Sequence, residues 1–156
     1  MSDDAVLERL DSALLALRRF ASPELARPRI SHAGADIELS TMLVVDAIAR
    51  SSPQEVSVRL VADSLQVAPS TASRLVERAV QAGMVVAGTS DHDPRRRVLH
   101  LTRDGHRLHR AALRHRTQRL ADATADWSRT DLTQFADLLD RFARTVHPLP
   151  SDRTDP

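Results

Sequence analysis

The stretch "VSVRLVADSLQVAPSTASRLVERAVQAGMV", residues 56–85, has the rhythm that decides the fold. Val58, Val61, Ala62 and Leu65 recur at helical spacing and predict a short helix, after which the segment Gln66, Val67 and Ala68 turns. Pro69 then stands at a first helical position, where its missing N–H costs nothing and its fixed φ suits the helix. In the helix it opens, Ala72, Leu75, Val76 and Ala79 form an i, i+3, i+4, i+7 stripe, and Gly83 is placed to close it in a left-handed conformation. Two short helices joined by a tight turn predict a helix-turn-helix.

The residues facing away from that stripe are Ser70, Thr71, Ser73, Arg74, Arg78 and Gln81. Small hydroxyls at the helix start permit close approach to a phosphate backbone, and Arg74 has the reach and planar fork to pair with guanine O6 and N7. An ordinary solvated face fits this helix equally well. The next segment of chain separates the two readings. "MVVAG" (84–88) and "RVLHLT" (97–102) are short β-prone runs around the polar "TSDHDPR" (89–95), a hairpin with a loop longer than two residues. A helix-turn-helix joined directly to a basic hairpin is a winged helix-turn-helix, whose second helix enters the major groove while the wing reaches backbone or minor groove. Of Arg95, Arg96 and Arg97, the last two alternate sides as the chain enters the returning strand, so only one of them is expected to assist Arg95.

Outside this module, helices are predicted over 3–21, 39–50, from Thr102 onward, and 131–146. The first carries Val6, Leu7, Leu10, Leu14, Leu17 and Phe20 on one stripe, the second is apolar on nearly all sides, and the third has Thr102 as N-cap. The last places Leu132, Phe135, Leu139, Phe142 and Val146 at alternating spacings of three and four, a coiled-coil-like seam. Trp127, just before it, is expected to anchor a helical core. At 156 residues and 3% aromatic content, that core must come mainly from Leu, Val and Ala, which suits packed helices. The fold class is therefore mainly α with a small β-hairpin wing.

Net charge is +1, but its distribution is uneven: residues 1–56 hold 6 Arg and 9 acids, 57–120 hold 12 and 5, and 121–156 hold 4 and 7. A basic centre between acidic ends implies a polyanion-binding module flanked by segments with another task. Arg103, Arg107, Arg110 and Arg114 line one face of the helix after the wing, read as a salt-bridging face in preference to a DNA contact.

In this order of elements the chain resembles the MarR family of transcriptional regulators. The resemblance rests on "LVADSLQVAPSTASRLVERAVQAGMV" and "DPRRRVLHLTRDGHRL", with Asp93-Pro94-Arg95 eight residues before Leu101-Thr102 and Gly105 early in the next helix. It implies one domain over 1–147, in which 37–101 form the winged DNA-binding core and 1–36 with 102–147 a helical dimerisation region, and a disordered tail over 148–156. It implies a homodimer joined through its N- and C-terminal helices on a pseudo-palindromic duplex. Ser70, Thr71, Ser73, Arg74 and Arg78 would serve the major groove, Arg95 the minor groove with help from Arg96 or Arg97, and Asp93 would orient the wing through an ion pair. It also implies a repressor modulated by an anionic or phenolic small molecule, held between the first, second and fifth helices near Arg18, Arg19, Met42, Asp46 and Arg50. Three positions depart from the family pattern. Gln66 replaces the usual Gly of the turn, where a left-handed backbone costs roughly 1 kcal/mol. Ala68 replaces a polar cap, worth about 1 kcal/mol unless Ser70 caps instead. Val86-Ala87-Gly88 leaves the first wing strand uncharged.

Other chemistry finds little footing. Cysteine is absent, so disulfides and thiolate metal sites are excluded. His106 and His109 stand at i, i+3 without a third metal ligand, and no nucleophile elbow, Walker loop or His-Glu-x-x-His occurs. Neither enzyme nor cofactor is expected, and with no signal peptide or membrane span the expected location is the cytoplasm. Two alternatives remain at this level: a winged-helix adaptor that binds protein without sequence-specific DNA, and a metal-responsive regulator.

Overall fold

The computed structural model describes residues 3–20, 31–32, 35–51, 53–90, 93 and 95–146, with backbone alone at 18–20, 31–32 and 35–36. The elements run α1 (Asp3–Phe20), β1 (Ser31–His32), β2 (Ala35–Asp36), α2 (Leu39–Ser51), α3 (Val58–Leu65), α4 (Pro69–Gln81), β3 (Val85–Thr89), β4 (Arg97–Leu101), α5 (Arg103–Ala123) and α6 (Arg129–Val146). The expected tail, 148–156, lies outside the described residues. The chain divides into two compact units, Met1–Arg116 and Thr117–Pro156, the boundary falling within α5.

In the first unit, α2 is the centre of the core. Thr41, Met42, Val44, Val45, Ala47 and Ile48 are all buried on it, so it presents an apolar surface in several directions. Against it pack Val61 and Ala62 of α3, Ala72, Val76 and Ala79 of α4, Met84 and Val85 at the start of the wing, and Leu108 and Ala112 of α5. The core is aliphatic throughout, as the low aromatic content requires; each such Val or Leu contributes about 1.5–3 kcal/mol when fully buried. The stripe predicted for α4 is the stripe that is buried, with Leu75 packed at its edge.

The wing is an antiparallel pair in the register Val85↔Leu101 to Thr89↔Arg97. A third segment joins it: Val56 forms a bridge with Leu99, whose N–H donates to the Val56 carbonyl at 2.7 Å. That segment, and the two-residue hairpin β1–β2 (Ser31↔Asp36, His32↔Ala35), are not among the elements that the sequence predicts. Pairing of two residues leaves too short a run for periodicity to detect.

The join between wing and α5 is close. Thr102 caps α5 as expected, its Oγ1 accepting the Gly105 N–H at 3.1 Å while its hydroxyl donates to the Gly83 carbonyl at 2.6 Å. The Thr102 N–H donates to the Met84 carbonyl at 3.0 Å. Gly105 is buried against that same carbonyl, and a Cβ at this position would collide with its oxygen.

In α1, by contrast, Val6, Leu7, Leu10, Leu14, Leu15 and Leu17 are all exposed within the single chain. The second unit shows the same feature: α6 has no buried residue, and Leu132, Phe135, Leu138, Leu139, Phe142 and Val146 are open to solvent. Trp127, expected as a core anchor, is 45% exposed and meets Phe135 edge-on at 5.2 Å between ring centres. Among the described residues no helix is long and apolar enough to cross a membrane.

Candidate nucleic-acid interface

Three local devices set the two helices of the helix-turn-helix. Ser57 opens α3, its Oγ accepting the Leu60 N–H at 3.2 Å. The helix closes with Gln66 in the left-handed region at φ 53°, ψ 46°; the Gln66 N–H donates to the Asp63 carbonyl at 3.3 Å and the Val67 N–H to the Ala62 carbonyl at 3.1 Å. This pair of bonds is a Schellman motif, the arrangement that usually selects Gly. The turn thus keeps the left-handed geometry and places a side chain where it is strained. Helix α4 closes in the same way, with the N–H of Gly83, at φ 73°, donating to the Val80 carbonyl and that of Met84 to the Ala79 carbonyl.

The start of α4 corrects one expectation. Ser70 does not cap it: the N-cap is Ala68 in an extended conformation without a side-chain bond, Pro69 follows at the first position, and Ser70 is already inside the helix. Ser70, Thr71, Arg74, Arg78 and Gln81 are exposed on the outer face. Ser73 is half-buried and its hydroxyl donates to the Pro69 carbonyl at 3.0 Å, so its donor is used within the helix. Arg74 has no ion-pair partner among the described residues. Arg78 reaches Glu38 at 3.5 Å, with both side chains more than half exposed, a pair weak enough to be exchanged for another anion.

At the wing tip, Arg95, Arg96 and Arg97 are exposed and have no ion-pair partner among the described residues. The tip backbone is held by a short network. The Ser90 N–H donates to the Arg96 carbonyl and the Arg96 N–H to the Asp93 carbonyl, each at 2.9 Å. The Asp93 carboxylate accepts the Arg95 N–H at 2.9 Å, an Asx-turn. The ion pair expected of Asp93 is not formed among the described residues; its carboxylate acts on the main chain instead. Ser90, 5% exposed, donates its hydroxyl to Glu55, at 2.6 and 2.8 Å from the two carboxylate oxygens, and accepts the Asp93 N–H at 3.2 Å. Neither Glu55 nor Ser90 carries a sequence signal, since each lies in a connector without periodicity.

Of the residues expected around a small-molecule site, the structure describes the side chains of Met42, Asp46 and Arg50. Arg18 and Arg19 lie in the last turn of α1, their side chains outside the described residues. Met42 is 8% exposed and is part of the core. Asp46 and Arg50 do meet: Arg50 Nε donates to Asp46 Oδ2 at 2.9 Å. Asp46 Oδ1 also accepts Arg116 Nη2 at 2.8 Å and lies 3.3 Å from His109 Nδ1, which is buried and makes no aligned hydrogen bond. Arg116 stands off the arginine stripe of α5, and no local spacing marks it. On the stripe itself, Arg107 pairs with Asp104 of its own helix at 3.0 Å.

A model of the MarR family matches residues 35–96. No curated protein matches the chain. Among solved structures, a MarR family protein from Bacillus stearothermophilus superposes with a TM-score of 0.71 at 18% identity, over 94% of this chain and 98% of the other. FabT of Streptococcus pneumoniae, solved in complex with DNA, gives 0.65 at 19% identity over 93% and 97%. MepR of S. aureus, solved with ethidium bromide, gives 0.60 at 16% identity over 86% and 95%. At these identities the structural likeness is one of fold, and it extends well beyond the matched segment. The sequence match to the MarR family thus lies in residues 35–96, and the fold of the chain is that of solved winged helix-turn-helix proteins of that family.

Proposed function

We propose that this chain is a sequence-specific double-stranded DNA-binding regulator that acts as a homodimeric repressor. The observation that carries the reading is the pairing of two cationic elements in the first unit: Arg74 on the outer face of α4, and Arg95, Arg96 and Arg97 on the wing, all exposed and without ion-pair partners among the described residues. Arg74 reads a guanine in the major groove, with Ser70, Thr71 and Ser73 against the phosphates and Arg78 exchanging Glu38 for a phosphate. Arg95, assisted by one of its neighbours, meets the minor groove or its flanking phosphates. FabT, solved with DNA, is a relative in fold that supports this use of the module.

The dimer is supported by the apolar stripes of α1 and α6. Each leaves several large aliphatic or aromatic side chains in water, a pattern that marks an interaction surface. A second copy of the chain satisfies both stripes by symmetry and presents two recognition helices to a pseudo-palindromic site. The segments 1–36 and 102–147 then serve as the dimerisation region around a winged core over 37–101. Modulation by an anionic or phenolic small molecule, a further part of the proposal, is supported by the charged cluster of Asp46, Arg50 and Arg116; MepR, solved with ethidium, is a relative in fold that holds a small molecule.

Selection of binding sites from a random duplex library tests this directly. The expected product is a two-fold symmetric site, bound with a steep dependence on salt of about −0.9 log unit per neutralised phosphate. Enrichment of no sequence, or displacement of a selected site by random duplex at equal concentration, would favour a protein-interaction adaptor.

A further inference from the structure

We propose that Glu55 is a positioning residue for DNA binding: through Ser90 it holds the wing tip in the one conformation that presents Arg95. The inference rests on the DNA-binding reading and deepens it. A carboxylate next to an element that meets a polyanion is unfavourable by Coulomb's law, so its presence there calls for a compensating role. The geometry supplies one. Glu55 is half-buried in the connector between α2 and α3 and receives the hydroxyl of Ser90 at 2.6 and 2.8 Å. A hydrogen bond to a charged acceptor is about twice as strong as a neutral one, and donation to it makes Ser90 Oγ a better acceptor in turn. That oxygen accepts the Asp93 N–H at 3.2 Å, and the Asp93 carboxylate accepts the Arg95 N–H at 2.9 Å. An unbroken series of hydrogen bonds thus runs from the body of the helix-turn-helix to the backbone of the fingertip.

The neighbouring residue reinforces the arrangement. The Val56 carbonyl accepts the Leu99 N–H at 2.7 Å, and Ser57 caps α3. Three consecutive residues therefore tie the tip of the wing, the middle of the wing and the start of α3 to one another. The wing is held at two heights by the same strand-like connector that starts the helix-turn-helix, so its tip cannot swing independently of α3 without breaking the Ser90 bond. Because exposed hairpin tips otherwise sample many conformations, holding this one lowers the ordering cost of bringing Arg95 to the duplex.

The experiment measures affinity and salt dependence of the full-length protein on its selected duplex, with Glu55→Ala, Glu55→Gln and Ser90→Ala beside the unaltered chain. Positioning predicts that Glu55→Ala binds about tenfold more weakly despite losing a negative charge, with a salt slope shallower by about one unit as the Arg95 contact is lost. Glu55→Gln keeps an acceptor oxygen for Ser90 and recovers most of the affinity; Ser90→Ala reproduces the loss. In an Arg95→Ala background, Glu55→Ala has no further effect. Should Glu55→Ala fail to fold, as judged by circular dichroism, Ser90→Ala and Glu55→Gln carry the same comparison. Binding by Glu55→Ala equal to or tighter than the unaltered protein, or equal impairment of the Gln and Ala variants, overturns the inference while leaving the DNA-binding reading intact. Failure of the unaltered chain to bind any duplex overturns both.

Discussion

Arg116 of α5 donates to Asp46 of α2 at 2.8 Å across seventy residues of sequence, tying the helix that leaves the wing to the helix at the centre of the core. Asp46 is 20% exposed and Arg116 32%, so the pair is only partly screened by water, and Asp46 also holds Arg50. Removing the carboxylate strands Arg116 in a half-buried position. Asp46→Ala is expected to lower the unfolding free energy by about 1–3 kcal/mol, and an Asp46→Ala/Arg116→Ala cycle to show positive coupling. Urea denaturation measures both, and additive losses would show that the contact contributes nothing.

Gly105 permits the same helix to start where it does. Because a Cβ there runs into the backbone oxygen of Met84, no rotamer change relieves the contact. Gly105→Ala is expected to cost about 1–3 kcal/mol even though Ala is the better helix former. A melting temperature at or above that of the parent would refute the close approach.

Two left-handed residues end the two helices of the helix-turn-helix, and they predict opposite outcomes. Gln66→Gly should stabilise the protein by about 1 kcal/mol, since the Schellman bonds stay and the side-chain strain goes. Gly83→Ala should cost a similar amount from backbone strain alone, because nothing lies within 4 Å of a Cβ built there. Chemical denaturation of both variants compares them; the same sign for both would contradict the shared geometry.

On the proposed reading, Arg74 and Arg95 divide recognition between base and backbone. Arg74→Ala is expected to relax preference at one base position per half-site, whereas Arg95→Ala weakens all sites with less loss of discrimination and a smaller salt slope. Repeated site selection with each variant reads the difference. Indistinguishable profiles would sink the division.

The exposed seam of α6 predicts the assembly. Leu139→Glu introduces a charge into the apolar stripe and should convert a dimer to a monomer of half the mass while leaving the helix-turn-helix folded. Sedimentation equilibrium gives the mass, and a parent that already sediments as a monomer would remove the dimer from the proposal.

The winged helix-turn-helix is legible in the linear chain because its determinants act over four or five residues. Pro69 at a first helical position, the Ala72, Val76 and Ala79 stripe, Gly83 at a helix end and Thr102 as a cap each report a local backbone requirement, and each stands in the structure as the spacing implies. Gln66 is recognisable as the odd residue in the turn, but whether the turn bends to spare it is not; the packing of α3 against α4 holds the left-handed geometry against about 1 kcal/mol of strain. Ser70 misleads because a hydroxyl near a helix start is a cap only if the backbone enters one residue later, and Pro69 sets that entry.

The connections between distant segments belong to the folded chain alone. Glu55 with Ser90, Val56 with Leu99 and Asp46 with Arg116 are partners because the core brings their elements together, and nothing in the spacing of a short connector or a single aspartate names its partner in advance. Periodicity reports which face of an element is apolar; it is silent on which polar group waits across the gap. The arginine-rich tip can therefore be read as a candidate finger from its composition and place, whereas the hydrogen bonds that hold its backbone emerge only when residues thirty-five positions apart pack side by side.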